Sequence, residues 1–108
     1  MGYRYVSNHF SNKEGFITGG NTYGPGFTIG WQNGPLLDDK GKIQQQNGAF
    51  VEDVISACMD RLRAFQNSKF RCCENQEAME HLNKVLNALE NRTNRRKKEG
   101  VDRDWETC

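Results

Sequence analysis

Long apolar runs, proline and histidine are scarce in this sequence. Its 108 residues include two prolines and two histidines. No apolar run approaches the roughly 20 residues of a membrane-spanning helix, and the first residues, MGYRYVSNHF, lack the apolar core of a secretory signal peptide. We therefore expect a protein that neither spans a membrane nor is exported.

The motifs of the common enzyme classes are also missing. The chain has no HExxH zinc motif, no Ser-His-Asp set in a recognisable context and no Walker-type phosphate loop. The glycine-rich stretch TGGNTYGPG is not followed by Lys-Ser or Lys-Thr, so we interpret it as turns. His81 flanks an apolar helical stripe, where packing is the commoner role, and Glu74, Glu77 and Glu80 are typical of a solvated helix face. We expect that the protein is not an enzyme.

Cysteines are few and are not spaced for a structural metal site. The chain has four, none of them in a CxxC pair: Cys58, Cys72, Cys73 and Cys108. A zinc site made of Cys72, Cys73, His81 and a distant cysteine would need a spacing that known structural zinc sites do not use. We expect reduced thiols, with Cys58 as a small core residue. The sequence predicts neither a metal nor another cofactor.

Net charge and apolar content are both low. With 15 basic and 14 acidic residues the net charge is +1, whereas proteins that bind polymeric nucleic acid usually carry a strong basic excess. Hydrophobic residues make up 35%, and the mean hydropathy is -0.88. A chain of this size has a marginal core. We expect disordered ends and apolar faces that a second copy of the chain covers, and therefore a homo-oligomer.

The composition divides the chain near residue 46. Residues 1–46 are rich in glycine, asparagine and aromatics, and GFIT and FTIGW predict short strands broken at Gly-Gly, Asn-Thr-Tyr-Gly and Gly-Pro. The polar stretch LLDDKGKIQQQNG predicts a loop. A small antiparallel sheet of this kind is not stable alone, so it should pack on helices or on another subunit.

Residues 47–100 predict a hairpin of two helices. The first should begin near Asn47, as the N-cap, and end by Asn67–Ser68; the second should run from about Cys73–Asn75 to about Lys98, before Gly100. Apolar residues recur at helical spacing in both: Val51, Val54, Ile55, Cys58, Leu62 and Phe65, then Ala78, Leu82, Val85, Leu86 and Leu89. A short connection makes the helices antiparallel. Residues 101–108 read as a polar tail.

The predicted fold class is therefore α+β. Short antiparallel strands come first, a two-helix antiparallel hairpin follows, and oligomerisation completes the apolar faces.

Aromatic, amide and guanidinium side chains on the hairpin suit a nucleotide ligand. Phe65 and Asn75 flank the turn, where a ring stacks on a base and an amide reads a base edge or a ribose hydroxyl. Arg92 lies at the edge of the apolar stripe and shares a face with Arg96. One guanidinium group can bind two phosphate oxygens at once. The alternatives are core packing for Phe65, helix capping for Asn75 and a solvated basic helix end.

Helix geometry separates these residues. Arg92 follows Asn75 by more than four turns, or roughly 25 Å at 1.5 Å per residue. The two side chains cannot contact one small ligand within one chain. If both belong to a single site, a second subunit supplies one of them.

The hairpin sequence resembles a known family. NGAFVEDVISACMDRLRAFQNSKFRCCENQEAMEHLNKVLNALENRTNRRKKEGV, preceded by FTIGWQNGPL, is similar to the phage Thoeris anti-defence sponge family over roughly residues 27–101. That family shares a helical-hairpin domain with the phage anti-CBASS cyclic-oligonucleotide sponges. The resemblance implies a non-enzymatic protein in the cytoplasm of an infected bacterial host. Such a protein sequesters glycocyclic ADP-ribose isomers and, in some members, cyclic di- and trinucleotides at separate sites in a hexamer.

The resemblance also implies roles for individual residues. Phe65 would stack on the base, Asn75 would be the polar reader, and Arg92 would bind phosphate, in sites between the protomers of a dimer. Relatives add a basic residue before the first helix, a position that Lys40 or Lys42 would fill.

The chain departs from the family pattern in two segments. Relatives end in a string like GVEGTH, but this chain continues from Gly100-Val101 into DRDWETC. The loop 36–46 is rich in Gln and Asp where relatives are more basic, which weakens the expectation of trinucleotide binding.

Two other functions stay open from the residues alone. The apolar stripes could serve only to dock a host protein, which would make the chain a small phage protein–protein interaction module. A small phosphodiesterase would need a metal or a general base, and the chain offers only His81 and scattered carboxylates.

Overall fold

A computed structural model describes residues 4–34, 36 and 40–98, with side chains up to residue 95. The chain forms two compact units. One contains the residues up to Phe50, and the other is Val51–Arg95. The order of elements is three strands followed by two helices, which confirms the predicted α+β fold class. No helix in the described ranges is long and apolar enough to cross a membrane.

The first unit contains a three-stranded antiparallel sheet in the order β1-β2-β3. The strands are β1 (Val6–Ser11), β2 (Ile17–Gly24) and β3 (Phe27–Trp31). β3 is the FTIGW strand predicted from sequence, whereas β1 had not been predicted as a strand. Pro25 and Gly26 form the tight turn between β2 and β3, where Gly26 has a φ of 88° that favours glycine.

β2 corrects the interpretation of TGGNTYGPG as turns. The strand runs through Gly19, Gly20 and the Asn-Thr-Tyr-Gly segment, and the chain reverses only after Gly24. The glycines are there because neighbouring groups approach closely: a Cβ on Gly20 would overlap the carbonyl oxygen of Asn8, and one on Gly24 would meet the ring of Phe27. Glycine here indicates crowding across the sheet and not a break in the strand.

Polar side chains join the three strands. The Trp31 indole N–H donates to Thr22 Oγ1 over 2.8 Å, and Thr22 Oγ1 lies 2.9 Å from Ser7 Oγ. Asn8 donates to Asn21 over 2.9 Å. These cross-strand bonds explain why β1 and β2 lack the alternation of apolar and polar residues by which strands are usually recognised.

No apolar side chain in the described part of the chain is fully buried. Val6 pairs with Tyr23 on one face of the sheet, Gly24 pairs with Phe27 on the other, and all three apolar side chains are exposed. The sheet thus leaves apolar groups uncovered on both faces.

The second unit is the predicted helical hairpin. Helix α1 spans Val51–Gln66 and helix α2 spans Cys73–Lys98. The limits of α2 agree with the prediction, while Gly100 and the tail 101–108 lie outside the described residues. Along the stripes Val54, Ile55 and Leu62 are half-buried, but Cys58 is exposed, so its prediction as a core residue is wrong.

Asn47 is not the N-cap of α1, which begins at Val51. Its side chain bonds Asn33 instead: Oδ1 accepts from the Asn33 N–H over 2.8 Å and Nδ2 donates to the Asn33 carbonyl over 3.0 Å. The backbone N–H groups of Asn47 and Gly48 donate to Gln32 Oε1 over 2.9 and 3.0 Å. Gln32, only 8% exposed, therefore fastens the segment before α1 to the end of β3.

Candidate functional site

The turn of the hairpin places Phe65 in the last turn of α1 and Asn75 in the first turn of α2. Ser68 closes α1, because its N–H and its hydroxyl both donate to the Phe65 carbonyl, over 3.0 and 2.6 Å. Ser68 Oγ then accepts the N–H of Phe70 over 3.1 Å. A compact turn therefore brings the predicted aromatic and amide residues to the same end of the hairpin.

Phe65 is half-buried and is held by two neighbours. The guanidinium carbon of Arg61, one helical turn earlier, lies 5.1 Å from the centre of the Phe65 ring. Phe70 approaches in an edge-to-face arrangement, with ring centres 6.3 Å apart and planes at 79°. Phe65 is therefore a fixed ring at the surface and not a sealed core residue.

The Asn75 amide ties the turn together. Its Nδ2 donates to the Gln66 Oε1 atom and to the Phe70 carbonyl, each over 3.2 Å. Gln66 Oε1 also accepts the Cys72 N–H over 2.9 Å. A capping asparagine would instead use its oxygen to accept a backbone N–H of its own helix, so the capping alternative for Asn75 does not describe this geometry.

Arg92 lies at the other end of the hairpin. Its Nη2 is 3.9 Å from Glu52 Oε1, in the first turn of α1, and the two side chains are 31% and 34% exposed. Arg92 Nε is buried and has no hydrogen-bond partner in the part of the chain with described side chains. The pairing with Glu52 agrees with the predicted separation: one chain presents Phe65 and Asn75 at one end and Arg92 at the other.

The other predicted residues lie elsewhere. Lys40 and Lys42 are exposed in the loop before α1. Arg96 lies in the last turns of α2, and its side chain is outside the described part. His81 is exposed and 3.7 Å from Glu77 across one helical turn. No group of three or more His, Cys, Asp or Glu side chains in the described ranges is arranged to hold a metal.

Three residues that contact these side chains were not identified as site residues from the sequence. Gln66 orients Asn75, Arg61 contacts Phe65 and Glu52 faces Arg92. The contact of Arg61 with Phe65 could have been predicted, since Arg61 precedes Phe65 by four positions and helical residues at that spacing are neighbours. The contacts of Gln66 and Glu52 depend on how the two helices meet, which helical periodicity does not give.

Comparison with known proteins places the helical hairpin and the strand before it in one family. A family model described as the Acb2/Tad1 hairpin domain matches residues 25–94, a range that includes β3, α1 and most of α2. The protein Thoeris anti-defense 1 of Bacillus phage SBSphiJ7 is 37% identical over 75 residues, which are 69% of this chain and 49% of that protein. The chain thus spans about half the length of this curated relative.

Proposed function

The chain belongs to the Acb2/Tad1 hairpin-domain family, the phage Thoeris anti-defence sponges, and on this premise we propose a phage anti-defence function. The protein binds a cyclic nucleotide immune signal of its bacterial host and holds it without degrading it. The ligand class is the glycocyclic ADP-ribose isomers, with cyclic di- and trinucleotides as further candidates. The site of action is the cytoplasm of the infected cell, where such signals are made.

The observation that carries this proposal is that Phe65 and Asn75 lie at the same end of the hairpin, on either side of its turn. Both are half-buried, so each is held in place yet reaches the surface. A base that stacks on Phe65 brings its polar edge towards the neighbouring amide. A rigid ring beside a fixed polar group loses little side-chain entropy on binding, which favours high affinity.

The turn of the hairpin has cations of its own, namely Arg61 beside the Phe65 ring and Lys69 and Arg71 in the connection between the helices. The phosphate-binding residue that the family resemblance implies is nevertheless Arg92. Arg92 lies at the opposite end, where its guanidinium is half-buried. Two hairpins arranged antiparallel would bring Arg92 and Arg96 of one protomer to Phe65 and Asn75 of its partner. We therefore propose a homo-oligomer, with the dimer as the smallest unit that completes a site, and Lys40 as an additional cation.

The required affinity is within reach of these contacts. A sponge that competes with a receptor needs a nanomolar dissociation constant, or about -12 kcal/mol. Stacking of a base on an aromatic ring contributes about 1–3 kcal/mol. Each hydrogen bond between a guanidinium and a phosphate contributes about 1.5–3 kcal/mol. A preorganised dimer with one stacked base and several phosphate contacts suffices.

The decisive experiment asks what happens to the ligand. The purified protein is incubated with the cyclic nucleotide made by a TIR enzyme, separated from free ligand and denatured by heat. Recovery of intact ligand supports sequestration. A cleaved product would identify an enzyme and contradict the proposal.

A protein–protein interaction module is the second candidate, and the exposed apolar side chains of the sheet favour it. It predicts that no nucleotide of a cyclic nucleotide panel raises the melting temperature of the protein. A tight ligand would raise it by mass action. The same thermal-shift screen thus separates the two functions.

A further inference from the structure

The hydrogen bonds at the hairpin turn determine which of the two amide atoms of Asn75, the nitrogen or the oxygen, faces into the turn. Gln66 Oε1 lies within bonding distance of the Cys72 N–H (2.9 Å) and of the Asn75 amide (3.2 Å). We propose that Gln66 is a positioning residue that turns the carbonyl oxygen of Asn75 towards the ligand. The site then selects a base whose exocyclic amino group donates a hydrogen bond. This inference rests on the proposed function and deepens it.

The orientation of both amides follows from backbone groups that can only donate or can only accept a hydrogen bond. A backbone N–H can only donate, so the Gln66 atom that faces Cys72 N–H is the oxygen. The Asn75 atom that faces this oxygen must then be the nitrogen. The Phe70 carbonyl, 3.2 Å from the same Asn75 nitrogen, can only accept and fixes the same choice.

The Asn75 nitrogen therefore faces two acceptors inside the turn. It lies 3.2 Å from both Gln66 Oε1 and the Phe70 carbonyl oxygen, and both of these atoms can only accept a hydrogen bond. Asn75 Oδ1 makes no hydrogen bond within the described residues. What Asn75 offers to a ligand is consequently an acceptor.

An acceptor beside a stacking ring distinguishes bases by their exocyclic groups. The 6-amino group of adenine donates, whereas the 6-oxo group of hypoxanthine accepts and would face Asn75 Oδ1 with no hydrogen between them. Leaving such a polar group unpaired weakens binding by roughly 10- to 100-fold. Phe65 cannot make this distinction, because both bases have similar faces for stacking.

The test compares two probes on the full chain: glycocyclic ADP-ribose and the same molecule with hypoxanthine in place of adenine. The wild-type protein should bind the adenine probe roughly 10- to 100-fold more tightly, measured by isothermal titration calorimetry. Gln66→Leu removes the shared acceptor and should reduce this preference towards equal binding. Gln66→Glu keeps an acceptor at the same place and should retain the preference.

Gln76→Leu is the matched control. Gln76 is an exposed residue of α2 whose amide reaches only one turn along the helix, to Glu80 over 3.4 Å. This variant should keep the wild-type preference. A loss of affinity for both probes without a change in their ratio would mean that Gln66 has only a structural role, and it would overturn the inference.

The wild-type comparison is informative even if Gln66→Leu does not fold. Equal affinity for the two probes would overturn the amino-group selection while leaving sequestration intact. Failure of the wild-type protein to bind either probe, or any cyclic di- or trinucleotide, would overturn both proposals. The two failures are therefore distinguishable.

Discussion

At the scale of single residues, Arg92 is in a setting that suits an anionic ligand. Its partner Glu52 is 3.9 Å away, longer than a good charge-assisted hydrogen bond, and its Nε is buried without a partner in the described part of the chain. Phosphate oxygens at shorter range would satisfy the guanidinium better. Glu52 meanwhile keeps the side chain from extending freely into water.

Arg92→Ala should therefore weaken binding of the cyclic nucleotide strongly and change stability little. The loss of a hydrogen bond to a charged group predicts a decrease in affinity of roughly 10- to 100-fold. A partly exposed ion pair contributes at most about 1 kcal/mol to folding. Titration calorimetry and urea denaturation measure the two effects.

The control for Arg92 is Arg63→Ala. Arg63 is exposed and pairs with Asp60 within α1, 2.6 Å away. It carries the same charge but lies outside the proposed site, so its removal should leave affinity nearly unchanged. If the two variants bound equally well, the assignment of Arg92 would be wrong.

Phe65 and Phe70 offer a second comparison at this scale. Phe65→Ala should lower affinity by roughly 5- to 100-fold, because base stacking contributes about 1–3 kcal/mol. Phe70, which is 74% exposed, supports the ring only edge-on, so Phe70→Ala should have a smaller effect. Fluorescence titration with the same ligand can rank both variants. A larger loss for Phe70→Ala would identify it as the stacking residue instead.

At the scale of elements, the helices could be predicted from sequence better than the strands. The recurrence of Leu82, Leu86 and Leu89 every three or four residues is local information, and α2 has the predicted limits. β2 was predicted only at its start, in GFIT, and the rest of the strand had no such pattern. Its glycines and asparagines resemble a turn, and only the pairing with Asn8 and Phe27 shows why a strand needs them.

The start of α1 was mispredicted for a related reason. Asn47 is a good N-cap by residue type, but Asn33 and Gln32 lie 14 and 15 residues away and compete for its groups. Long-range hydrogen bonds thus overrode a local preference. The candidate site shows the same limit: Phe65, Asn75 and Arg92 were chosen from the sequence, but the contacts around them were not.

Gly20→Ala tests whether β2 needs a glycine where the Asn8 carbonyl approaches. A Cβ at this position would overlap the Asn8 carbonyl, and the φ of 151° is rarely adopted by residues with a side chain. We expect destabilisation of about 1–3 kcal/mol, the range for backbone strain. Urea denaturation followed by circular dichroism would report it.

Gly30→Ala is the control, since a Cβ on Gly30 would meet no atom within 4 Å. It lies in β3 of the same sheet and should be nearly neutral. Similar destabilisation by both substitutions would show that the sheet tolerates no side chain at either glycine and would contradict the specific role of Gly20.

At the scale of the whole molecule, the uncovered apolar groups and the separated site residues lead to the same expectation. The described part of the chain buries no apolar side chain fully, and exposed aromatics lie on both faces of the sheet. Burying such groups between copies would supply the missing hydrophobic stabilisation. Sedimentation should therefore give a mass of at least two chains.

Mixing two weakly binding variants tests whether sites lie between protomers. Phe65→Ala and Arg92→Ala each damage every site of their own homodimer. In a mixed dimer one of the two sites receives Phe65 from one chain and Arg92 from the other, both intact. Random exchange then restores about a quarter of all sites in a two-fold symmetric dimer. Titration of the mixture should recover this fraction, whereas a site within one chain would recover none.

The place where the family match begins has a practical consequence for truncation. The match starts at residue 25, so it includes β3 but neither β1 nor β2. A fragment cut to the matched range would strip β3 of the neighbour that saturates its backbone along one side. A bare strand edge of this kind recruits strands from other molecules. Shortening the chain in this way should thus yield insoluble, fibre-prone material, although every proposed ligand contact up to residue 94 would remain in it.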